Sequence, residues 1–261
     1  MRYEIIDILK GVAVIFMVIF HIFYFPNQYG YKEFNYETKT LTSMARIAQI
    51  IFITGVGINM YISYKKDLEK SKKDKSKKPQ FLKNQLKRII KLVAIAIFIS
   101  IFSYFIFGNM FVKFGILHFM SFSSLLLLPF VDSPKIITGI IFFILFMKYL
   151  VNKDRSMFQN VPSKFAFITG LYSKYGAVDH FPLVPWIIYV CIGLIIGRVI
   201  LKDDNKKKLE DNSKDKSKDK NLIKKSVKWC GKYSLEIYVV HWILLFLFFA
   251  YLYPKFRLVN Q

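Results

Sequence analysis

The sequence predicts an all-α, polytopic membrane protein with about seven spans, forming a single domain over residues 1–261. Hydrophobic residues make up 54% of the chain, yet its formal net charge is +22, a combination that soluble globular domains rarely show. The apolar residues also lie in long blocks, with the charges in runs between them. This pattern is typical of membrane-spanning helices, and it excludes a soluble domain, a coiled coil and a collagen-like fibre.

Each predicted span is an apolar block, because a bilayer core about 30 Å thick needs roughly 20 helical residues. The fourth and fifth blocks are the shortest, so we expect them to be tilted or to continue into their flanking residues. The two cysteines, Cys191 and Cys230, are too few for a disulfide framework. The seven blocks are at about 8–25, 42–64, 89–107, 115–130, 136–151, 183–200 and 233–253.

The Lys-rich segments predict the orientation. Residues 65–91 contain 12 Lys and Arg, residues 202–228 contain 11, and four predicted spans separate the two segments. Both therefore lie on the cytoplasmic side, with the N-terminus inside. Their low complexity predicts disordered basic loops at about 65–88 and 202–226, which set the topology or bind anionic lipid. No basic fold with interleaved aromatic residues accompanies these charges, so nucleic acid is not a predicted partner.

Ionisable residues within the first span indicate function, since such groups are costly in hydrocarbon. Asp7 and His21 share one helical stripe and lie roughly 21 Å apart along the axis. One face therefore has a carboxylate near the inner end and an imidazole near the outer end. The alternative is structural: Asp7 pairs with Lys10 or Arg2, and His21 packs at the interface.

Further polar residues lie at or near the outer ends of other spans. Arg46 is suited to an anionic substrate group or to snorkelling toward the surface. His118 opens the fourth helix, Asp179 and His180 precede the sixth, and His241 lies in the seventh. The histidines lack the spacing of a helix-borne ligand pair, so no metal site is predicted.

Several short blocks in this order resemble the heparan-α-glucosaminide N-acetyltransferase catalytic-domain family of membrane acyltransferases. One departure is Lys10-Gly11, where the family commonly has Arg-Gly, because lysine lacks the planar fork of arginine. The blocks are IDILKG at 6–11, MVIFH at 17–21, FITGVG at 52–57, FGILH at 114–118, DHFPLVPW at 179–186 and GKYSLEIYVVH at 231–241.

The resemblance implies transfer of an acetyl group from cytosolic acetyl-CoA to a sugar amine or hydroxyl on the far side of a membrane, here expected to be the cell membrane. The family's first-helix histidine, here His21, is the implied catalytic residue, either as acyl acceptor or as general base. Asp179 is expected to assist by orienting an imidazole or contacting the acceptor. The other candidates are Arg46, His118, His180 and His241 for substrate, and Asp7 and Lys10 for acetyl-CoA.

Two other functions fit parts of the sequence. A transporter or exporter of an acylated glycan or lipid-linked sugar would be expected to show internal repeats with broken helices, and no such repeat is evident. A non-catalytic scaffold would not need the aligned polar face of the first helix. Membrane lipids and a glycan or amino-sugar acceptor are therefore the expected partners of an acyltransferase.

Overall fold

The computed structural model describes residues 4–28, 31–74, 79–154, 161–171, 179–210 and 222–252. Over these ranges the chain forms α-helices and short 3₁₀ turns, with one isolated β-bridge between Phe114 and His180. The predicted all-α fold is confirmed. The helices are α1 (Glu4–Gln28), α2 (Lys39–Lys73), α3 (Phe81–Phe107), α4 (Ile116–Leu127), α5 (Pro134–Lys153), α6 (Ser163–Thr169), α7 (Leu183–Glu210), α8 (Leu222–Lys232) and α9 (Ser234–Leu252).

Five of the described helices, α1, α2, α3, α5 and α7, are long and apolar enough to cross a membrane. The pair α8 and α9, bent by 83°, passes the same test when it is counted as one span. The difference from the predicted seven is α4, whose 12 residues extend only about 18 Å. The fifth block, expected to be short, forms a 20-residue helix.

The first Lys-rich segment is more helical than predicted. α2 continues through Lys73 and α3 begins at Phe81, which corrects the predicted disorder at 65–88; residues 75–78 lie outside the described part. Lysine and glutamate are good helix formers. The Asp67 carboxylate also accepts the backbone N–H groups of Gln80 and Phe81, at 2.7 Å each, where the first turn of α3 lacks intrahelical acceptors.

The second Lys-rich segment is also partly helical. α7 extends to Glu210 and α8 begins at Leu222, so the disorder predicted at 202–226 is corrected at both of its ends. Residues 211–221 lie outside the described residues.

The chain forms two compact units. The first comprises Met1–Phe52 and Lys214–Gln261, and the second comprises Ile53–Ser213. Helix α2 contributes residues to both, so the predicted single domain stays a prediction.

The first unit is built from α1, the beginning of α2, α8 and α9. Ala13 and Met17 of α1 pack against Ala48 of α2, and the Tyr238 ring of α9 covers this cluster. The two alanines let the helices approach closely. Successive turns of α1 toward its C-terminus therefore face both α2 and α9.

One end of the second unit is held by Asp132, in the turn between α4 and α5. Its carboxylate lies 2.9 Å from Lys65 Nζ and 3.1 Å from an Arg198 guanidinium nitrogen, and it accepts a hydrogen bond from Tyr64 at 3.2 Å. Lys65 belongs to the last turns of α2, and Arg198 lies well along α7. The helix segments leading into the two Lys-rich stretches therefore reach the same end of this unit.

The short helix α4 connects the two ends of the second unit. At one end the Phe181 N–H, just before α7, donates to the Phe114 carbonyl, just before α4, at 3.0 Å; at the other end Arg198 binds Asp132. At the rise of an α-helix, residues 116–130 extend about 21 Å along the axis and residues 183–198 extend about 22 Å. α4 thus runs alongside the apolar part of α7 in the same direction.

Candidate active site: a histidine pair in the first unit

Two glycines bring α1 and α8 into backbone contact. A Cβ atom on Gly11 would collide with the carbonyl oxygen of Val227, and a Cβ atom on Gly231 would collide with that of Asp7. Only a residue without a side chain fits at these positions, so the two backbones touch. Because α9 follows α8 after a single residue, the contact also constrains where α9 meets α1.

Beyond this contact, His241 of α9 lies beside His21 of α1. The distance between His241 Nε2 and His21 Nδ1 is 3.4 Å, and the ring centroids are 5.0 Å apart. His241 is only 6% exposed, whereas His21 keeps part of its surface accessible. His241 is therefore the more deeply buried residue of the pair.

The hydrogen bonds of the pair define which nitrogens carry hydrogen. His21 Nδ1 lies 2.8 Å from the Met17 carbonyl oxygen, and His241 Nδ1 lies 3.0 Å from that of Ile237. A carbonyl oxygen only accepts, so we assign the hydrogen of each neutral ring to Nδ1. His241 Nε2 then accepts a second, weaker contact from His21 Nδ1–H, and His21 Nε2 keeps its lone pair.

Aromatic rings surround His21. The ring centroids of Phe20, Tyr24, Phe25 and Trp242 all lie between 5.5 and 6.0 Å from that of the imidazole. Such an apolar environment strengthens the remaining polar contacts and keeps most water away from the ring.

The other predicted residues of this unit lie elsewhere on its helices. Asp7 is 4% exposed at the α1–α8 contact, where its carbonyl oxygen faces Gly231. Lys10 is partly buried on the next turn of α1, and Arg46 is exposed near the start of α2. The roles predicted for Asp7 and Lys10 toward acetyl-CoA, and for Arg46 toward substrate, stay predictions.

Asp179 belongs to the second unit, where it contacts the beginning of α4. Its carboxylate lies 3.3 Å from the Ile116 N–H, and at Gly115 a Cβ atom would be 2.6 Å from the same oxygen. A carboxylate at a helix N-terminus accepts an otherwise unpaired N–H and interacts favourably with the helix dipole. Burial nevertheless raises the pKa of Asp179 to about 6, and the hydrogen bond from Ile116 only partly opposes this.

The two remaining histidines also lie in the second unit. Ser100 donates its hydroxyl hydrogen to the Val112 carbonyl at 2.6 Å, and His118 Nε2 lies 3.4 Å from the same hydroxyl oxygen. His180 Nε2–H donates to the Phe167 carbonyl at 2.8 Å, and its ring stacks on that of Phe167 with the centroids 4.0 Å apart.

The structure thus groups the predicted residues in two sets. His21 and His241 form a pair in the first unit, while His118, Asp179 and His180 gather around the beginning of α4 in the second. The described residues contain no group of three or more His, Cys, Asp or Glu side chains that could hold a metal ion.

Sequence reasoning missed Trp242. Its indole Nε1 is one of two buried side-chain atoms that lack a hydrogen-bond partner among the described residues; the other is Gln49 Oε1, and both belong to the first unit. The only signal in the sequence was that Trp242 directly follows His241.

Ionisable side chains inside membrane-crossing helices are a general sign of a functional site, and imidazoles can serve acyl transfer as bases or nucleophiles. Residues 2–243 match the sequence profile described as heparan-alpha-glucosaminide N-acetyltransferase, catalytic, so the chain belongs to that family. The resemblance noted in the sequence is confirmed, and the family indicates a transmembrane acetyltransferase. Neither the curated proteins nor the solved structures include a significant match to the chain.

Proposed function

We propose that the protein transfers an acetyl group from cytosolic acetyl-CoA to an amine or hydroxyl group of a sugar on the other side of the membrane, with His21 at the reacting centre. One observation carries this proposal: His21 Nδ1–H is bound by the Met17 carbonyl, with His241 Nε2 as a weaker second partner, so the basic nitrogen is Nε2. A partly accessible imidazole held in one tautomer is suited to general base or nucleophilic catalysis.

In the first route, His21 acts as a general base. Its Nε2 takes the proton of the acceptor amine or hydroxyl while the acceptor atom bonds to the thioester carbon. The carbon–oxygen π pair moves onto oxygen and then returns, breaking the carbon–sulfur bond. The CoA thiolate leaves and takes the proton from His21, so the products are the acetylated acceptor and CoA thiol.

In the second route, His21 Nε2 itself bonds to the thioester carbon, and the CoA thiolate leaves with the carbon–sulfur pair. The acetylated imidazole then passes its acetyl group to the acceptor, whose proton ends on the thiolate. Both routes use the same nitrogen atom. Labelled acetyl-CoA added without acceptor distinguishes them, because only the second route leaves label on His21.

The orientation of the second unit supports the sidedness of this reaction. Lys65 and Arg198 both bind Asp132, so the two Lys-rich segments emerge from the same end of that unit. We infer that this end is cytoplasmic, since positively charged segments are retained on that side. The N-terminus is predicted to be cytoplasmic from the positions of the Lys-rich segments. Lys10, near the beginning of α1, would then lie toward the cytoplasm, where its charge suits the phosphates of acetyl-CoA.

The test is acetyl transfer by purified protein in proteoliposomes, with labelled acetyl-CoA and a panel of amino sugars. His21→Ala should lower the turnover rate by about 10³-fold, within the range of removing an acid–base group. Ile22→Ala is the matched control, because it truncates the next, 38% exposed residue of α1 and should leave turnover unchanged. Wild-type turnover by a folded His21→Ala variant would remove His21 from the mechanism.

A further inference from the structure

We propose that the Trp242 indole N–H donates a hydrogen bond to the thioester carbonyl oxygen as negative charge develops on it. This assignment rests on the proposed function, because it concerns the acetyl transfer in which His21 takes part.

The first argument is the missing partner. Trp242 is 3% exposed, and its Nε1 has no hydrogen-bond acceptor within the described parts of the chain. A buried indole N–H usually finds an acceptor, since a buried donor without a partner loses its hydrogen bonds to water and gains none in return. A buried donor without a partner in a native structure therefore needs an explanation, and an acceptor atom supplied by the substrate is one.

The second argument is location. The Trp242 ring centroid lies 5.7 Å from that of His21 and 4.8 Å from that of Phe25, and the residue directly follows His241. At these separations one acyl group can contact both the imidazole and the indole. Both Nδ1 atoms of the histidine pair already donate to backbone carbonyls, so the indole supplies the unused donor of the cluster.

The third argument is the chemistry. In both routes a nucleophile bonds to the thioester carbon, and the π pair moves onto the carbonyl oxygen before the carbon–sulfur bond breaks. A donor fixed beforehand stabilises that oxyanion more than the ground-state carbonyl, so it lowers the barrier without requiring tighter binding. The base at His21 and the donor at Trp242 therefore have complementary tasks.

The experiment uses Trp242→Phe in the full-length protein. Phenylalanine keeps an aromatic ring against His21 and Phe25 but has no N–H. We expect kcat to fall roughly 10²–10³-fold, the usual effect of losing one oxyanion donor, while KM for acetyl-CoA stays close to its wild-type value. The melting temperature should not decrease through hydrogen bonding, because no bond within the protein is lost. Trp229→Phe, which changes a 59% exposed tryptophan of α8 in the same way, should keep wild-type kcat.

A second replacement removes the effect of ring size. Incorporating β-(3-benzothienyl)alanine at 242 exchanges the N–H for sulfur in a ring of nearly the same shape, so packing is retained and only the donor is lost. The kcat decrease should therefore persist in this variant.

Wild-type kcat in the benzothienyl variant would overturn the assignment, as would a decrease that merely follows the amount of unfolded protein. His21→Ala separates this failure from failure of the proposed function. If His21→Ala is inactive while both Trp242 variants are fully active, only the role of Trp242 is lost. If His21→Ala is fully active, the proposed function itself fails.

Discussion

The two units of the molecule use polar side chains in different ways. In the first, His21 and His241 face each other from the interiors of two helices, surrounded by aromatic rings. In the second, Asp179 binds the beginning of α4 and Asp132 follows its end. Polar groups at helix ends pair with backbone groups and neighbouring charges, which is what a framework needs. Polar groups that meet across helices can also hold helices together. In the first unit, however, the assigned tautomers leave His21 Nε2 with a free lone pair among aromatic rings, so the comparison points to this unit for chemistry.

The largest effect should come from the glycine contact of the first unit. Gly231→Ala places a methyl group against the Asp7 carbonyl oxygen, so α8 must shift and the histidine pair with it. We expect destabilisation of about 3 kcal/mol or more, together with loss of acetyl transfer. Thermal melts in detergent and activity assays measure both.

Gly139→Ala is the control for this change. It lies within α5 of the second unit, and an added Cβ there would meet nothing within 4 Å. Alanine is the better helix former, so this variant should melt at or above the wild-type temperature. Equal melting temperatures for Gly231→Ala and the wild type would contradict the backbone contact.

The next effect concerns the supporting ring. His241→Gln keeps a polar side chain but loses the imidazole contact that orients His21, so we expect a decrease in kcat of about 10²-fold, as for a misplaced catalytic group. Val240→Ala changes the neighbouring, 49% exposed residue of α9 and should have little effect. An unchanged kcat for His241→Gln would mean that His21 acts without its partner.

In the second unit, Asp179 should control the pH dependence of stability. Burial raises the pKa of Asp179 to about 6. The contribution of this carboxyl group to the free energy of unfolding is therefore fully present below the ordinary pKa of an aspartate, and it is lost as the pH rises through about 6. Asp179→Asn retains an acceptor for the Ile116 N–H without a charge. The variant should therefore have a higher melting temperature than the wild type at pH 7.5, by roughly 2–4 °C for each kcal/mol gained in the free energy of unfolding. At pH 4 the two proteins should have similar melting temperatures.

The same variant tests the predicted catalytic role of Asp179. If Asp179 only supports the fold, the variant should have an unchanged kcat at equal folded fraction. If Asp179 orients an imidazole or contacts the acceptor, kcat should be lower at every pH. The second result would extend the chemistry to both units.

The smallest effect should come from Asp132. Burial alone would raise its pKa, but the hydrogen bonds and charges of Lys65 and Arg198 hold it below its usual value. The resulting stabilisation is present above the ordinary pKa and is lost as the pH falls through the lowered one. Since these side chains are partly exposed, Asp132→Asn should cost only about 0–1 kcal/mol, seen as a small decrease in melting temperature near neutral pH. A large loss would show that this ion-pair cluster is central to the second unit.

The sequence was sufficient for the helical fold and for the residue types of the candidate site. Long apolar blocks identify spans because hydrocarbon requires helices of a minimum length. Periodicity places His21 and His241 on helix faces, but it says nothing about which face meets which. Their pairing across 220 residues depends on the glycine contact between α1 and α8.

Other features could not be predicted from composition. A Lys-rich segment looks disordered when only charge is counted, yet Asp67 binds the beginning of α3 from the preceding helix. Trp242 resembles an ordinary interfacial tryptophan in the sequence. Its burial, and the lack of a hydrogen-bond partner for its nitrogen within the described ranges, distinguish it.

The contact of α1 with α8 at Gly11 and Gly231 also has an evolutionary consequence. When main chains rather than interlocking side chains align the reacting ring with its supporting ring, the lipid-facing residues are nearly interchangeable as long as they stay hydrophobic. Homologues can then diverge over most of their length while retaining a few short sequence motifs. We expect remote members of this family to be recognisable by those motifs even where their overall sequence identity is low.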